Sequence, residues 1–422
     1  MLIQFTIENH RSIRDSAVIS FAASKDTSLA SCLIHPDEKK VLLPVLAVYG
    51  ANAAGKSNVL HALMTMKDMI VGPSSKLSKG QKLPWEPFAG NKQPTSFEVV
   101  YIYDGIRYAY GFSFDSKKIY SEYLYHWPNG REALIFSREN GVYEFRDNIA
   151  EQTTLSNRTL DNKLYLVSSN DWNLPQTENA YKWFLEKLTG IMEEPAASSE
   201  TVSEIVRSDE QKARILKEML LADLGISDVT IKPVGNKEES VITTTHRMID
   251  ESGKVKHFQL LMEQESAGTQ RFFSRIGGWL QALENGSLLV VDEIERSMHP
   301  LLTRRLIEIV QDSAINTKKA QLLFTTHDAL LLDLNFLRRD QIWFAEKNEK
   351  SCATELYPLS AFSPRKGENI RKGYLQGRFG AIPFIGGDGT WQVLEKNITL
   401  TASSGEKGGL SSTLSAKAKK RR

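Results

Sequence analysis

Apolar residues follow two rhythms along this chain, one of period two and one of helical spacing. Residues 2–7 alternate apolar and polar side chains, as a half-buried strand does, and run straight into Asn9-His10-Arg11-Ser12-Ile13. Alternation returns over 97–103 and 106–112 on either side of Asp104-Gly105, which predicts a β-hairpin. Residues 120–127, the turn Pro128-Asn129-Gly130, 133–137 and 142–145 extend it into an antiparallel meander. From about 180 to 224 the spacing becomes helical. Tyr181, Phe184, Leu185 and Leu188 share one face and Ile215, Leu216, Met219 and Leu220 another, with a polar stretch over 193–204 between them. Strand patterns reappear at 240–248 and 255–262, joined by Asp250-Glu251-Ser252-Gly253. Unbroken apolar runs at 45–49, 288–291 and 322–324 predict strands buried on both faces, and a helix is expected over 301–312. Residues 401–422 are rich in Ser, Gly and Lys and poor in apolar side chains, which predicts a disordered tail. There is no internal repeat and no sustained heptad.

Composition narrows this picture. With 422 residues and 41% apolar side chains, the chain can build a sizeable core as one large domain or two ordinary ones. No stretch approaches the roughly 18 apolar residues of a membrane span. The start, Met1-Leu2-Ile3-Gln4-Phe5, lacks the basic and apolar regions of a secretory leader, so a cytoplasmic location and no membrane partner are expected. Cys32 and Cys352 have no metal-ligand spacing and are read as inert packing residues of a reducing compartment. A formal net charge of +2 gives no sign of a strongly nucleic-acid-binding chain. A local basic patch stays open: Lys419-Lys420-Arg421-Arg422 reads either as a solvated tail or as a contact to an acidic partner or nucleic acid.

Gly50-Ala51-Asn52-Ala53-Ala54-Gly55-Lys56-Ser57 fits the phosphate-binding pattern G-x-x-x-x-G-K-[ST] at every fixed position, between a buried strand and a stretch with helical spacing. Glycines let backbone N–H groups turn inward around phosphates at a helix N-terminus, where unpaired N–H groups and the dipole favour an anion. Lys56 is expected to reach the β- and γ-phosphate oxygens, and the Ser57 hydroxyl to ligate Mg²⁺. Gly50, Asn52, Gly55 and Asn58 complete the candidate ATP-binding set.

Further on, Leu288-Leu289-Val290-Val291-Asp292-Glu293 is a strand that delivers two carboxylates. Asp292 is expected to hold Mg²⁺ through water, and Glu293 to orient and polarise the water that attacks the γ-phosphate. Leu322-Leu323-Phe324-Thr325-Thr326-His327 ends in a polar group, placing His327 to contact the γ-phosphate. Glu265-Ser266-Ala267-Gly268 precedes a helix, and Ser266 and Gly268 there form a second anion-binding surface.

Phosphate loop, Ser-x-Gly signature, Asp-Glu strand and switch histidine, in that order, resemble the ABC/SMC-type ATPase head over most of the chain. The resemblance implies an α/β fold: an ABC/SMC-type P-loop ATPase head with an antiparallel β-lobe and an inserted helical region. The expected divisions are an N-terminal ATPase half with the β-lobe at 1–150, a mainly helical insert at 151–239, a C-terminal ATPase half at 240–389 and a disordered basic tail at 390–422. In that superfamily two heads sandwich ATP. Ser266 and Gly268 of one subunit would complete the site formed by Lys56, Ser57, Asp292, Glu293 and His327 of the other, within a homodimer or higher homo-oligomer. Asn9-His10-Arg11-Ser12 resembles the Asn-Phe-Arg-Ser element of the SMC-like branch, which places Arg11 near the nucleotide, with His10 standing where an aromatic is usual. The family's glutamine loop has no assignable position.

Asp292-Glu293-Ile294-Glu295-Arg296-Ser297-Met298-His299-Pro300 resembles the Asp-Glu-x-Glu-x-x-Leu-His-Pro form of the overcoming-lysogenization-defect and abortive-infection ATPases, with Met298 in place of leucine. Gly373-Tyr374-Leu375-Gln376-Gly377-Arg378-Phe379-Gly380-Ala381-Ile382-Pro383 resembles a C-terminal element of the abortive-infection group; a structural turn and a sensor or partner contact are equally open there. The resemblance implies an ATP-hydrolysing sensor or scaffold in prokaryotic anti-phage defence that controls a separately encoded effector, a nuclease or RNA-targeting toxin. The alternative is an SMC-like DNA repair or DNA-binding ATPase, which normally needs coiled-coil arms that do not fit between Lys56 and Glu265. A self-contained nuclease is disfavoured by the short stretch after His327, and a transporter ATPase by the Glu-x-x-Met-His-Pro segment and the antiparallel insert.

Overall fold

The apolar run at 45–49 is buried on both sides because the strand it forms lies inside a sheet. Strand β3 (Val45–Tyr49; elements are numbered in chain order) is flanked by β14 (Gln321–Thr326) and β15 (Ile342–Lys347). The sheet of six strands continues through β13 (Leu288–Val291) to β9 (Leu188–Ile191) at one edge and ends in β16 (Thr354–Pro358) at the other. All neighbours are parallel except β16, which runs antiparallel to β15. Parallel strands need crossover segments, and helices on both faces bury both sets of side chains. Leu46 and Val48 join the core that contains Val59, Leu60 and Leu63 of α1 (Lys56–Val71). Val45, Ala47 and Tyr49 join the opposite core, with Phe272, Ile276 and Trp279 of α7 (Ala267–Asn285) and Leu306 of α8 (Pro300–Gln311).

The computed structural model describes residues 1–382 except 39, 193–198, 222–224, 234–239 and 366; the expected tail at 390–422 lies outside the described residues. An antiparallel sheet of seven strands runs in the order β2 (Ala17–Ser20), β1 (Leu2–Glu8), β4 (Thr95–Tyr103), β5 (Ile106–Phe114), β6 (Ile119–Trp127), β7 (Ala133–Glu139), β8 (Val142–Phe145). The β4–β5 turn is as read from sequence: Tyr103 pairs with Ile106, and Asp104 and Gly105 both have positive φ, 49° and 73°. That is the turn whose twist matches the flanking strands. Its buried face carries Phe97, Val99 and Tyr101, and the Tyr101 ring stacks on Trp183 at 4.4 Å.

Helices α2 (Ile149–Ser156), α3 (Tyr165–Asp171), α4 (Pro175–Glu186), α5 (Ser199–Arg207) and α6 (Asp209–Leu221) occupy the middle of the chain. The stretch expected to be mainly helical also holds β9, which pairs with β13 in the six-stranded sheet. Four residues leave too little periodicity to show a strand. Tertiary pairing makes it one, and Gly190 lets the Met64 side chain of α1 approach where a Cβ would stand 2.7 Å from its sulfur. Part of the 193–204 stretch read as a polar break belongs to α5, where the buried Thr201 hydroxyl donates to the Phe273 carbonyl at 2.6 Å. A three-stranded sheet, β10 (Ile226–Pro233), β11 (Ser240–Ile249) and β12 (Val255–Leu261), then leads into α7, and α9 (Ile370–Leu375) closes the described chain. Both cysteines are free; Cys32 is half-buried, but Cys352 is exposed in the β15–β16 connection, so it is not the buried packing residue expected.

His10 takes the place of an aromatic ring physically as well as in sequence. It is fully buried, its ring lies edge-on to Phe97 at 5.3 Å, and neither ring nitrogen has a hydrogen-bond partner among the described residues. Burial first, and the neighbouring Arg11 second, push its pKa down to about 4 from the ordinary 6.5. Between those values the unfolded chain binds a proton that the folded chain refuses. Stability therefore falls as pH drops through that window, by at most about 1.4 kcal/mol per pH unit. His10→Phe is expected to flatten the pH dependence of Tm between pH 4 and 6.5, as followed by circular dichroism melts. An unchanged acid limb would place the titrating group elsewhere.

Candidate functional site

The phosphate loop is held from two sides that are remote in sequence. A Cβ on Gly50 would sit 2.3 Å from the Ala345 carbonyl oxygen of β15, so only glycine allows the loop to leave β3 this close to its neighbour. Gly55 has φ +97°, and a Cβ there would meet Thr354 Oγ1 at 2.0 Å and Ser12 Oγ at 2.6 Å. Those hydroxyls form a strap over the loop: Asn58 Nδ2 donates to Ser12 Oγ at 2.6 Å, Ser12 Oγ and Thr354 Oγ1 are 2.7 Å apart, and Thr354 Oγ1 donates to the Ala54 carbonyl at 2.8 Å. With Gly55 as its cap, α1 has no capping side chain over its first N–H groups, which suits them to an anion.

Lys56 opens α1 and is buried. Its ammonium donates to the Gly50 and Ala51 carbonyls at 2.9 and 3.0 Å and lies 3.4 Å from His327 Nδ1. Burial pushes its pKa down; Glu295 leads the carboxylates that oppose this, ahead of Asp292 and Glu293. Ser57 Oγ donates to Asp292 Oδ1 at 2.9 Å. Thr325 Oγ1 donates to the same oxygen at 2.5 Å and accepts the Glu293 N–H at 2.8 Å. That hydrogen bond helps hold Glu293 at φ +46°, a left-handed conformation that costs a residue with a side chain about 1–3 kcal/mol. Glu293 Oε1 lies 4.0 Å from His327 Nε2. Burial and then the charge of Lys56 push the His327 pKa below the ordinary histidine value, which favours a neutral ring near pH 7.

Asn52, Ala53, Gly55, Lys56, Ser57, Asn58, Glu293 and His327 line one cavity of about 480 Å³. Its chemistry fits a nucleotide with Mg²⁺. The loop presents the cradle, and Ser57 and Asp292 supply oxygen donors side by side, as suits a cation that takes few protein ligands and keeps waters and phosphates. Among the described residues no group of three or more His, Cys, Asp or Glu side chains could hold a metal unaided, so the phosphates would complete the coordination.

Three sequence-derived candidates stand apart from this cavity. Arg11, at φ +50°, makes a close ion pair with Glu86 and is not among the lining residues. Ser266 is exposed and caps α7, accepting the Thr269 N–H at 3.1 Å, and Gly268 follows it; neither lines the cavity of its own chain. Conversely, Ser12, Thr325, Thr354 and Glu295 take part in the site although the sequence reading gave them no role. Glu295 accepts the His327 backbone N–H, and its second oxygen is buried without a hydrogen-bond partner among the described residues. Its spacing two residues after Glu293 was the available signal, whereas Thr354 lies some 300 residues from the loop it straps.

A parallel sheet with this loop between a central strand and a helix defines a P-loop nucleotide-binding protein. The model of the family described as "AAA domain, putative AbiEii toxin, Type IV TA system" matches residues 45–333, and the chain belongs to that family. It is thus an ATPase-type nucleotide-binding protein with a mixed α/β fold. No curated protein matches it. No helix among the described residues is long and apolar enough to cross a membrane.

Gly55→Ala is expected to weaken binding of a fluorescent ATP analogue by about tenfold or more, because the new methyl displaces Thr354 and Ser12 and strains the cap. Equal affinity in an anisotropy titration would show that the strap is not needed to shape the loop.

Proposed function

We propose that this chain hydrolyses ATP with Mg²⁺ and serves as the sensor or scaffold subunit of a prokaryotic anti-phage system of the abortive-infection type. In this reading it controls a separately encoded effector, a nuclease or RNA-targeting toxin. The observation that carries the ATPase part is the meeting of Lys56, Ser57, Glu293 and His327 around one cavity, with Asp292 bonded to Ser57 beneath it. Lys56 would turn from the loop carbonyls to the β- and γ-phosphates, and the Ser57–Asp292 pair would hold Mg²⁺. Glu293 would accept a proton from the attacking water while neutral His327 contacts the γ-phosphate. The defence part is supported by the family description, whose words name a toxin and a type IV toxin–antitoxin system.

The assembly part of the proposal is a head-to-head homodimer of ABC/SMC type, or a larger homo-oligomer built from it. Ser266 supports it: the side chain caps a 19-residue helix, is exposed, and is not among the residues lining its own chain's cavity, so it is free to meet a nucleotide held by a second copy. An SMC-like repair role gains no support from the helices, since α7 is the longest among the described residues and offers no coiled-coil arm.

Lys56→Ala is expected to lose nucleotide binding. Glu293→Gln is expected to bind ATP with turnover reduced about 100-fold or more and to accumulate as an assembled species in mass photometry. Wild-type turnover in Glu293→Gln would move the base elsewhere. Composite sites make a second demand. Lys56→Ala and Ser266→Arg, each inactive alone, should regain up to about a quarter of wild-type turnover when mixed, since a mixed dimer holds one intact site. No recovery on mixing, with both proteins folded, would exclude sites completed in trans.

A further inference from the structure

The segment that enters α7 is held by a sheet that contributes no residue to the phosphate-loop cavity. Glu265 lies between the short 3-10 turn after β12 and the Ser266 cap, where a carboxylate could attend the N-terminus of α7. Ser266 provides the side-chain cap instead, accepting the Thr269 N–H at 3.1 Å. The Glu265 side chain turns to β11, where its Oε1 accepts the Thr244 hydroxyl at 2.5 Å and His246 Nε2 at 2.6 Å. Thr244 and His246 are two residues apart on one strand, so they share a face of the sheet. The network is enclosed: Thr244 is buried, and the His246 and Glu265 side chains are 14% and 7% exposed. His246 is backed by Phe258, its partner in register on β12, whose ring stacks on it at 5.0 Å and 13°. From the other side, Gln270 Nε2 donates to the Glu265 carbonyl at 2.8 Å and ties that backbone to the first turn of α7.

An enclosed carboxylate costs more than an apolar side chain unless its bonds are made, so packing by itself gives no reason for a glutamate at this position. What the bonds supply is one fixed orientation of the segment that enters α7. We propose that Glu265 is a positioning residue for the composite ATP site: bonded to Thr244 and His246, it holds Ser266 and Gly268 where the nucleotide of a second copy meets them. The inference rests on the reading of sites completed in trans. It goes further by giving the three-stranded sheet a part in turnover, since Thr244, His246 and Phe258 act there on a site that none of them lines.

The test uses the full-length chain, and its variants separate the hydrogen bonds from the charge, because both bonds reach one oxygen. Glu265→Ala removes them, and Glu265→Gln can keep them through its carbonyl oxygen. Glu265→Ala is expected to bind a fluorescent ATP analogue as the wild type does, since its own cavity is intact. Its ATP turnover should fall about tenfold or more, while that of Glu265→Gln stays within about threefold of wild type. Mixing assigns the defect to one side of the site. Lys56→Ala supplies an intact signature and should raise the turnover of Glu265→Ala, whereas Ser266→Arg, deficient on the same side, should not. Wild-type turnover in Glu265→Ala, an equal loss in Glu265→Gln, or the opposite pattern on mixing would overturn the assignment. Should Glu265→Ala fail to fold by circular dichroism, His246→Phe takes its place with the same pattern expected, since it keeps a ring against Phe258 and removes the Nε2 bond. A second readout needs no catalysis. Hydrogen exchange at the Thr269 and Gln270 amides should quicken about tenfold or more in Glu265→Ala, with α1 unchanged. Unaltered protection there would show that the carboxylate does not seat the helix. Lys56→Ala mixed with Ser266→Arg is the control. No recovery in that pair ends the trans reading together with this inference; recovery there, and none with Lys56→Ala plus Glu265→Ala, ends this inference alone.

Discussion

A single carboxylate oxygen, Asp292 Oδ1, joins the pieces of the nucleotide site. It accepts hydroxyls from Ser57, at the start of α1, and from Thr325, on the adjacent strand β14, so the loop, the acidic strand and the strand that precedes His327 meet at one point. The geometry follows from the sheet. In a parallel sheet all strands end on the same side, so residues after β3, β13 and β14 must meet there, whatever their separation in sequence. Two hydroxyls on one oxygen also fix the orientation of the groups that carry them.

Left-handed backbone also shapes the same place. Ala53 at φ 62°, Gly55 at +97° and Glu293 at 46° all lie in the left-handed region within or beside one cavity. Such conformations persist only where surrounding bonds over-determine them. Thr325 supplies one for Glu293, and the Ser12–Thr354 strap supplies the packing that excludes any Cβ at Gly55. The two strap residues come from opposite ends of the described chain, Ser12 from the segment after β1 and Thr354 from the start of β16. The N-terminal segment is itself seated by the buried His10 ring against Phe97, so the antiparallel sheet contributes to the shape of the phosphate loop rather than merely adjoining it.

The loop's other neighbour is β15, and through it the C-terminal element. The rings of Tyr49, Phe344, Tyr374 and Phe379 form a contiguous set from the residue before Gly50 to the glycine-rich turn. Gly373 permits this packing, since a Cβ there would stand 2.9 Å from the Phe379 ring, and Arg378 is tied down by Glu368. The turn and the partner-contact readings of this element are therefore compatible: its glycines let it pack tightly, and the same packing shapes a surface pocket lined by Tyr357, Phe362 and Phe379.

Local sequence determined the features that depend on neighbours along the chain. The phosphate loop is legible because glycine and lysine are needed at fixed spacing. The β4–β5 hairpin is legible because Asp104-Gly105 tolerates two positive φ angles, and the central strands because burial on both faces demands unbroken apolar runs. Tertiary structure alone decided the rest. Strand β9 is too short to announce itself and exists by pairing with β13, and Thr354 is an ordinary threonine until the antiparallel β16 brings it over Gly55. Arg11 and Ser12 look equally available in sequence, yet the ion pair to Glu86 draws the arginine away while the serine touches the loop. The physical reason is common to all three. Spacing along the chain encodes local backbone geometry, whereas the partner a polar side chain finds is set by the free energy of burial and hydrogen bonding between segments that only the fold brings together.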